Sequence, residues 1–359
     1  MLQYTIRRLV AAIPVILGVL VVTFALARLI PGDPCRSILG EKATAETCDR
    51  FIAEKGLDKP ILTQFGIYLG DFLQGDLGNS LRFNRPITRI LVERLPLTVE
   101  LGMAALTLSV LLGVPLGIIS ALRRNSFADV FVMIGANLGV SIPVFVLGLL
   151  LKYLFAVVLK DTNLALPPSG RLSAAVISTP FYQVYGWNVS TEGFRLFFLN
   201  FVSNMYILNN LLARNWVVLW DAIKHLILPA VALSSIPLSI IARMTRSSMI
   251  EILGLDYIRT ARSKGLTEAV VVFIHAFRNA ALPVVTITGL QLGSVFAGAI
   301  LTETIFGLAG VGLALFEGIT ARDFPVIQGF VIVIALSYVA VNLLVDLSYA
   351  FIDPRVRLQ

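Results

Sequence analysis

Charge is scarce in this chain, and the shortage decides its class. Only 14% of the 359 residues are charged and 57% are hydrophobic, whereas a soluble domain carries charge on about a quarter of its residues. A water-soluble globule of this length is therefore excluded. Histidine and cysteine are scarcer still, at two each. His225 and His275 have no neighbouring histidine or cysteine at ligand spacing, so the makings of a metal centre within the bundle are missing. The glycine- and lysine-containing phosphate loop of nucleotide hydrolases is absent too. Gly307, Gly310 and Gly312 have no lysine beside them and are read as turn formers. Without clustered catalytic side chains the chain is not expected to be an enzyme, and any energy source must lie elsewhere. Nucleic acid is an equally poor partner: the net charge is +7, but the bases gather at the ends of apolar runs, with no basic domain to track phosphates.

What the chain has in abundance is long apolar runs. Six segments have the length of a membrane crossing, about 9–30, 97–122, 130–159, 222–242, 284–302 and 326–350. They predict an all-α, multi-pass membrane protein with lipid as its solvent. The first run is about 22 residues long, where the apolar core of a signal peptide has about 7–15, so it is read as an uncleaved helix. Basic residues orient the spans. With the N-terminus inside, segments 1–8, 123–129, 243–283 and 351–359 hold Arg7, Arg8, Arg123, Arg124, Arg243, Arg246, Arg259, Arg262, Lys264, Arg278, Arg355 and Arg357. The short outer loop 303–325 sets Arg322 against Glu303, Glu317 and Asp323. Both termini are then cytoplasmic, and two long extracytoplasmic segments, 31–96 and about 160–221, lie outside.

The first outer segment leaves the membrane sharply at Pro31-Gly32-Asp33-Pro34. It contains Cys35 and Cys48, whose shared position on the oxidising side suggests a disulfide, two separately buried thiols being the other reading. In the second, 194–220 is apolar enough to suggest a seventh span. Asn200, Asn204, Asn209, Asn210, Arg214 and Asn215 would be costly in hydrocarbon, and the spacing of Phe194, Phe197, Phe201, Met205, Leu208 and Leu212 predicts instead an amphipathic helix lying at the membrane surface or packed on the bundle. Within the spans, Arg28 and Lys152 are predicted to snorkel, Glu100 either to cap the second span or to face a polar path, and Asp346 to meet Arg355 or Arg357. Pro115, Pro143, Pro229 and Pro237, with Gly113, Gly117, Gly139, Gly148, Gly289, Gly293 and Gly298, mark places of bending or close packing.

The segment Asp256 to Pro283 is the most informative. Arg259, Arg262, Lys264, His275 and Arg278 make it basic, while Ala261, Leu266, Ala269, Val272, Phe273, Ala276 and Phe277 supply apolar surface at helical spacing. Gly265 interrupts the pattern. Two short helices around a glycine suit a surface that docks on another protein.

Tyr257 to Leu266 followed by Arg278-Asn279-Ala280-Ala281-Leu282-Pro283 resembles the "EAA" loop of ABC importer permeases. The likeness covers nearly the whole chain and is similar to the first permease of dipeptide, oligopeptide and nickel uptake systems, the dipeptide branch above all. It includes LQYTIRRL, Ile30 to Pro34, Gly75-Asp76-Leu77-Gly78 with Ser80, Arg243 to Met249, Leu301 to Phe306 and Asn342 to Leu347. Arg259, Thr260 and Ala261 replace the general E-A-A, and Leu282-Pro283 falls about five residues later than in sugar importers; both departures look like the peptide-type branch. The resemblance implies a type I importer permease of six transmembrane helices in a bacterial cytoplasmic (inner) membrane. It divides into a first helix and outer loop (1–96), a permease core with the 160–221 insertion and the 243–283 coupling loop (97–302), and an outer loop, last helix and tail (303–359). It further implies a second homologous permease, two cytoplasmic ATPases that hold the ATP and magnesium, an extracytoplasmic substrate-binding protein, and a peptide cargo. Tyr257, Arg259, Ala261, Lys264, Gly265 and Leu266 would form the coupling helix seated in an ATPase cleft, with Gly265 permitting its turn. A same-family permease for nickel or another small solute is the alternative. A secondary transporter would need internal repeats and mid-membrane ion sites, which the sequence lacks. The 160–221 segment exceeds what a minimal permease needs.

Overall fold

The computed structural model describes residues 2–29, 35, 43–54, 56, 58–80, 82–187, 189, 193–321 and 323–352. Fourteen helices are named here in chain order: α1 Leu2–Leu29, α2 Ala45–Glu54, α3 Ile61–Leu73, α4 Ile87–Leu122, α5 Phe127–Ser141, α6 Val144–Val158, α7 Phe181–Val184, α8 Phe194–Ser203, α9 Tyr206–Leu212, α10 Trp216–Leu253, α11 Asp256–Ser263, α12 Glu268–Phe306, α13 Val311–Thr320 and α14 Phe324–Ile352. Among the described residues the only β-pairing is an isolated bridge between Asn79 and Pro86. The exit at Pro31–Pro34 and the tail arginines Arg355 and Arg357 lie outside the described residues, as do the side chains of Arg28 and Asp346.

Five helices are long and apolar enough to cross a membrane, or six if the bent pair α5–α6 counts as one crossing. That pair is where the predicted straight span 130–159 fails. α5 and α6 meet at 105°, and a helix of 15 residues reaches only about 22 Å, short of the roughly 30 Å of hydrocarbon. The cause is local. Pro143 disfavours helical geometry at the residue before it, and Ile142 is extended, at φ −82° and ψ 119°. Pro96, Pro115, Pro229 and Pro237 lie inside α4 and α10 without ending them.

α10 is the central helix, packed along α4 on one side and α12 on another. Glycine sets the spacing: a Cβ on Gly117 would sit 2.6 Å from the Ala242 carbonyl and from Thr245 Cβ, so α4 and α10 meet backbone to backbone. Three apolar clusters stack through the bundle. One joins Leu101, Leu228, Val295 and Phe306 in the middle. A second gathers Ile87, Ile90, Val311 and Phe330 around α13 and α14. The third lies at the opposite end, beneath α11.

Segment 194–220 contains no apolar helix long enough to span, as expected, but it is not one continuous helix. It breaks into α8, α9 and the start of α10, with Arg214 left-handed at φ 55° and Asn215 Oδ1 accepting from Val218 N at the new N-terminus. Part of its polar face is turned inward. Asn209 and Asn210 are buried, while Phe194 and Phe197 are exposed. Buried amides need partners: Asn209 accepts from Phe181 N at 2.8 Å and donates to Ser178 Oγ and the Thr179 carbonyl, each at 2.9 Å, and Asn210 Nδ2 donates to Ser178 Oγ and the Tyr206 carbonyl while its Oδ1 finds no partner among the described residues. The asparagines that argued against a membrane span are the internal fasteners of the insertion.

Several charged residues also sit differently from expectation. Helix α4 begins ten residues before the predicted span, so Glu100 is inside it and caps nothing there. It is buried instead against Arg171, at 3.3 Å, and accepts from Tyr206 N and Ile207 N at the start of α9, at 3.2 and 2.6 Å. Burial pulls the Arg171 pKa below the ordinary arginine value, and the Glu100 carboxylate works against that fall. The Arg171 guanidinium also lies 3.6 Å from the centroid of the Tyr206 ring. The Lys152 Nζ donates to the Ile305 carbonyl at 3.0 Å, a cation at a helix C-terminus. Glu303, expected in an outer loop, is fully buried in α12. It accepts from Thr98 Oγ1 at 2.6 Å and Leu313 N at 3.0 Å. This carboxylate fills the space a Cβ would need at Gly310, and the Ile300 backbone fills it at Gly312.

Candidate coupling site

At the end of the bundle where α10 gives way to α11, sequence and local geometry agree closely. α11 is amphipathic over eight residues. Ile258 and Ala261, three apart and so on one helical face, are buried, while Tyr257, Arg259, Arg262 and Lys264 are exposed. The buried face rests on Ile118 and Ala121 of α4, Met249 of α10, and Val271, Val272, Ala276 and Ala280 of α12. Three long helices therefore meet under one short one.

The chain leaves α11 through Gly265, whose φ is +80°, a region that costs other L-residues steric energy. It then enters α12 at Thr267. This is the expected pair of helices around a glycine, with one difference. The second helix is not a short separate piece. It runs through a π-helical stretch, Val271–Phe277, straight into the apolar length of α12. Pro283 lies inside that helix and does not close a loop.

Polar contacts fix α11 to α12. Asn279 Nδ2 donates to Tyr257 Oη and to the His275 carbonyl, both at 2.9 Å, and Tyr257 Oη donates to that carbonyl at 3.3 Å. Arg262 bridges the turn to Glu268 at 2.6 Å, an exposed pair worth about 0–1 kcal/mol.

Of the six residues expected to couple, Tyr257, Arg259, Lys264, Gly265 and Leu266 are exposed together, and Ala261 is buried. Ala261 is thus part of the floor, and its small size allows α11 to lie close. The sequence reading missed Ile258 and Asn279. Ile258 was detectable as the residue one helical turn before Ala261; Asn279 was not, because its partner Tyr257 is 22 residues away. Cys35 and Cys48, far from this end in sequence, are joined as a disulfide with Cα atoms 5.3 Å apart. Among the described residues no three His, Cys, Asp or Glu side chains gather as a metal site.

A second contact set lies beside the floor. Asp129 of α5 accepts from Arg246 Nε at 2.7 Å and Arg246 Nη2 at 2.8 Å. It also accepts from Asn125 N at 2.9 Å and from the Ser120 hydroxyl. α4, α5 and α10 are tied at this one carboxylate.

Known proteins fit this architecture over its full length. Residues 113–358 match the family described as binding-protein-dependent transport system inner membrane component, and residues 1–102 match the N-terminal part of such membrane components. The dipeptide transport system permease protein DppB of Alkalihalophilus pseudofirmus is 43% identical over 99% of this chain and 100% of its own length. The Escherichia coli K12 protein of that name is 42% identical over 99% of each. The di/tripeptide transport system permease protein DppB of Pseudomonas aeruginosa is 42% identical over 100% of each. With five or six apolar crossings and likeness at this level across both parts, the chain belongs to the inner-membrane components of binding-protein-dependent transport systems, as a multi-pass, non-catalytic subunit.

Proposed function

We propose that this chain is one of two permease subunits of an ATP-driven importer of dipeptides and short oligopeptides. The observation that carries this reading is identity above two-fifths, end to end, with proteins named as dipeptide permeases. In this reading a second, homologous permease completes the pathway, two cytoplasmic ATPases bind the ATP and magnesium, and an extracytoplasmic binding protein delivers cargo. α11 and the Gly265 turn are the surface offered to an ATPase, an assignment supported by a short basic helix with an open face and a floor built from three long helices. Both termini and the 243–283 segment are assigned to the cytoplasm, and 31–96 and 160–221 to the outer side. The three-part division at 96 and 302 is kept as organisation along the chain, with the 160–221 insertion fastened to α4 through Glu100 and Arg171.

Two measurements test this. Proteoliposomes holding the permease pair, ATPases and binding protein should accumulate a labelled dipeptide in an ATP-dependent way, and nickel should not compete. Single cysteines at Ser263 and Asn163, both exposed, should react differently with an impermeant thiol reagent on spheroplasts. Asn163 should label and Ser263 should not. Labelling at Ser263 alone would place α11 outside and end the ATP-driven reading.

A further inference from the structure

The bent pair α5–α6 is strapped to its neighbours on both sides of the bend. On one side, Asp129 accepts from Nε and Nη2 of Arg246 from α10, together with the Ser120 hydroxyl from α4. On the other, Lys152 of α6 donates to the Ile305 carbonyl near the end of α12, and a Cβ on Gly148 would lie only 3.3 Å from the Phe306 ring. α10 and α12 are the two helices joined through α11. Between the straps lies the extended Ile142, where the pair turns by 105°.

Position along the helices links the Asp129 strap to α11. Ser120 precedes Ala121, and Arg246 lies three residues before Met249; Ala121 and Met249 both belong to the floor beneath Ile258 and Ala261. A push on α11 therefore reaches the helical turns that carry the strap. A bidentate arginine–carboxylate pair fixes orientation as well as distance, and removing one partner leaves the other's charge uncompensated. The side chain of Asp129 is 5% exposed and that of Arg246 is 26% exposed, so water screens the pair only partly.

We propose that Asp129 and Arg246 are a positioning pair that passes displacement of α11 to the bent helices, with the Ile142–Pro143 joint absorbing the difference between the two straps. This rests on the importer reading above.

The test uses the reconstituted complex with its binding protein and a labelled dipeptide. Asp129→Asn and Arg246→Lys should lower dipeptide taken up per ATP hydrolysed by about tenfold, a usual size for coupling between sites. Hydrolysis and the amount of assembled complex should change little. The exchanged double variant Asp129→Arg/Arg246→Asp should regain much of the loss. Unchanged uptake per ATP in both single variants would overturn the proposal. So would a parallel fall of uptake, hydrolysis and assembly that the exchange does not rescue, since that marks a purely structural pair. If the parent complex hydrolyses ATP but moves no dipeptide, the importer reading fails, and the strap is then judged by distance. With nitroxides at Phe127 and Ser263, the separation should be the same in nucleotide-free and ATP-trapped parent, and should change between those states in Asp129→Asn. Identical behaviour of parent and variant would sink it.

Discussion

Nothing lies within 4 Å of the position a Cβ would take on Gly265, so the demand for glycine there is one of backbone conformation. At φ +80°, an ordinary L-residue costs about 1–2 kcal/mol, while asparagine tolerates the left-handed region better. Substitutions should therefore rank by backbone preference and not by volume. Gly265→Asn should stay near the parent, Gly265→Ala should fall below it, and Gly265→Val should lose most of its uptake per ATP. All three should insert and assemble. Equal coupling in Gly265→Val and the parent, measured in proteoliposomes, would contradict this. Gly265 was legible in the sequence because it breaks a helical pattern between charged residues. Glu303 was not. A carboxylate at the end of an apolar run looks like an interfacial charge, and its partner Thr98 is 205 residues away. Asp129 was hidden for the same reason: a contact between distant residues leaves no local trace.

At the scale of the element, α11 shows what a short helix needs in order to stand. Eight residues form only about two turns, too few to be stable alone in water, so its burial on the three-helix floor must hold it. Ile258 is the fully buried anchor. Ile258→Ala should cost about 2–5 kcal/mol locally, and amide exchange should rise across 256–263 while α10 stays protected. Uptake should fall with it; unaltered exchange in α11 would show that the floor is not what holds this helix. The long helices were legible because apolar runs of that length have one stable form in lipid. The α5–α6 break was only half legible. Pro143 was visible, but Pro115, Pro229 and Pro237 look the same in the sequence and sit in helices that continue. What differs is the extended Ile142 before Pro143, the conformation that a proline favours at the residue before it and that the other three sites do not take. The insertion was legible as non-spanning but not in its packing, because alternation of apolar and polar residues says that a helix has two faces, and not which face is buried.

For the whole molecule, the Cys35–Cys48 bond and the bundle are separate sources of order. The bond spans 13 positions, and closing a loop of that size restrains the unfolded chain by about 3 kcal/mol. That restraint acts on the segment around α2, not on α4, α10 and α12. Reduction should make residues near 45–54 easier to cleave by protease, while assembled complex and uptake stay near the parent. Loss of assembly on reduction would show that the two are linked.

The continuity of α12 through its π-helical stretch has a mechanical consequence. Its 39 residues measure about 58 Å end to end, nearly twice the roughly 30 Å of hydrocarbon. α10, at 38 residues, is almost its equal. α11 is thus carried on two stiff arms that project beyond the lipid, and a tilt of about 10° about one end of such an arm swings the other through roughly 10 Å. In the importer reading, a modest stroke delivered at α11 would be carried along both arms to their opposite ends, so that a small motion at one side of the bilayer is felt at the other.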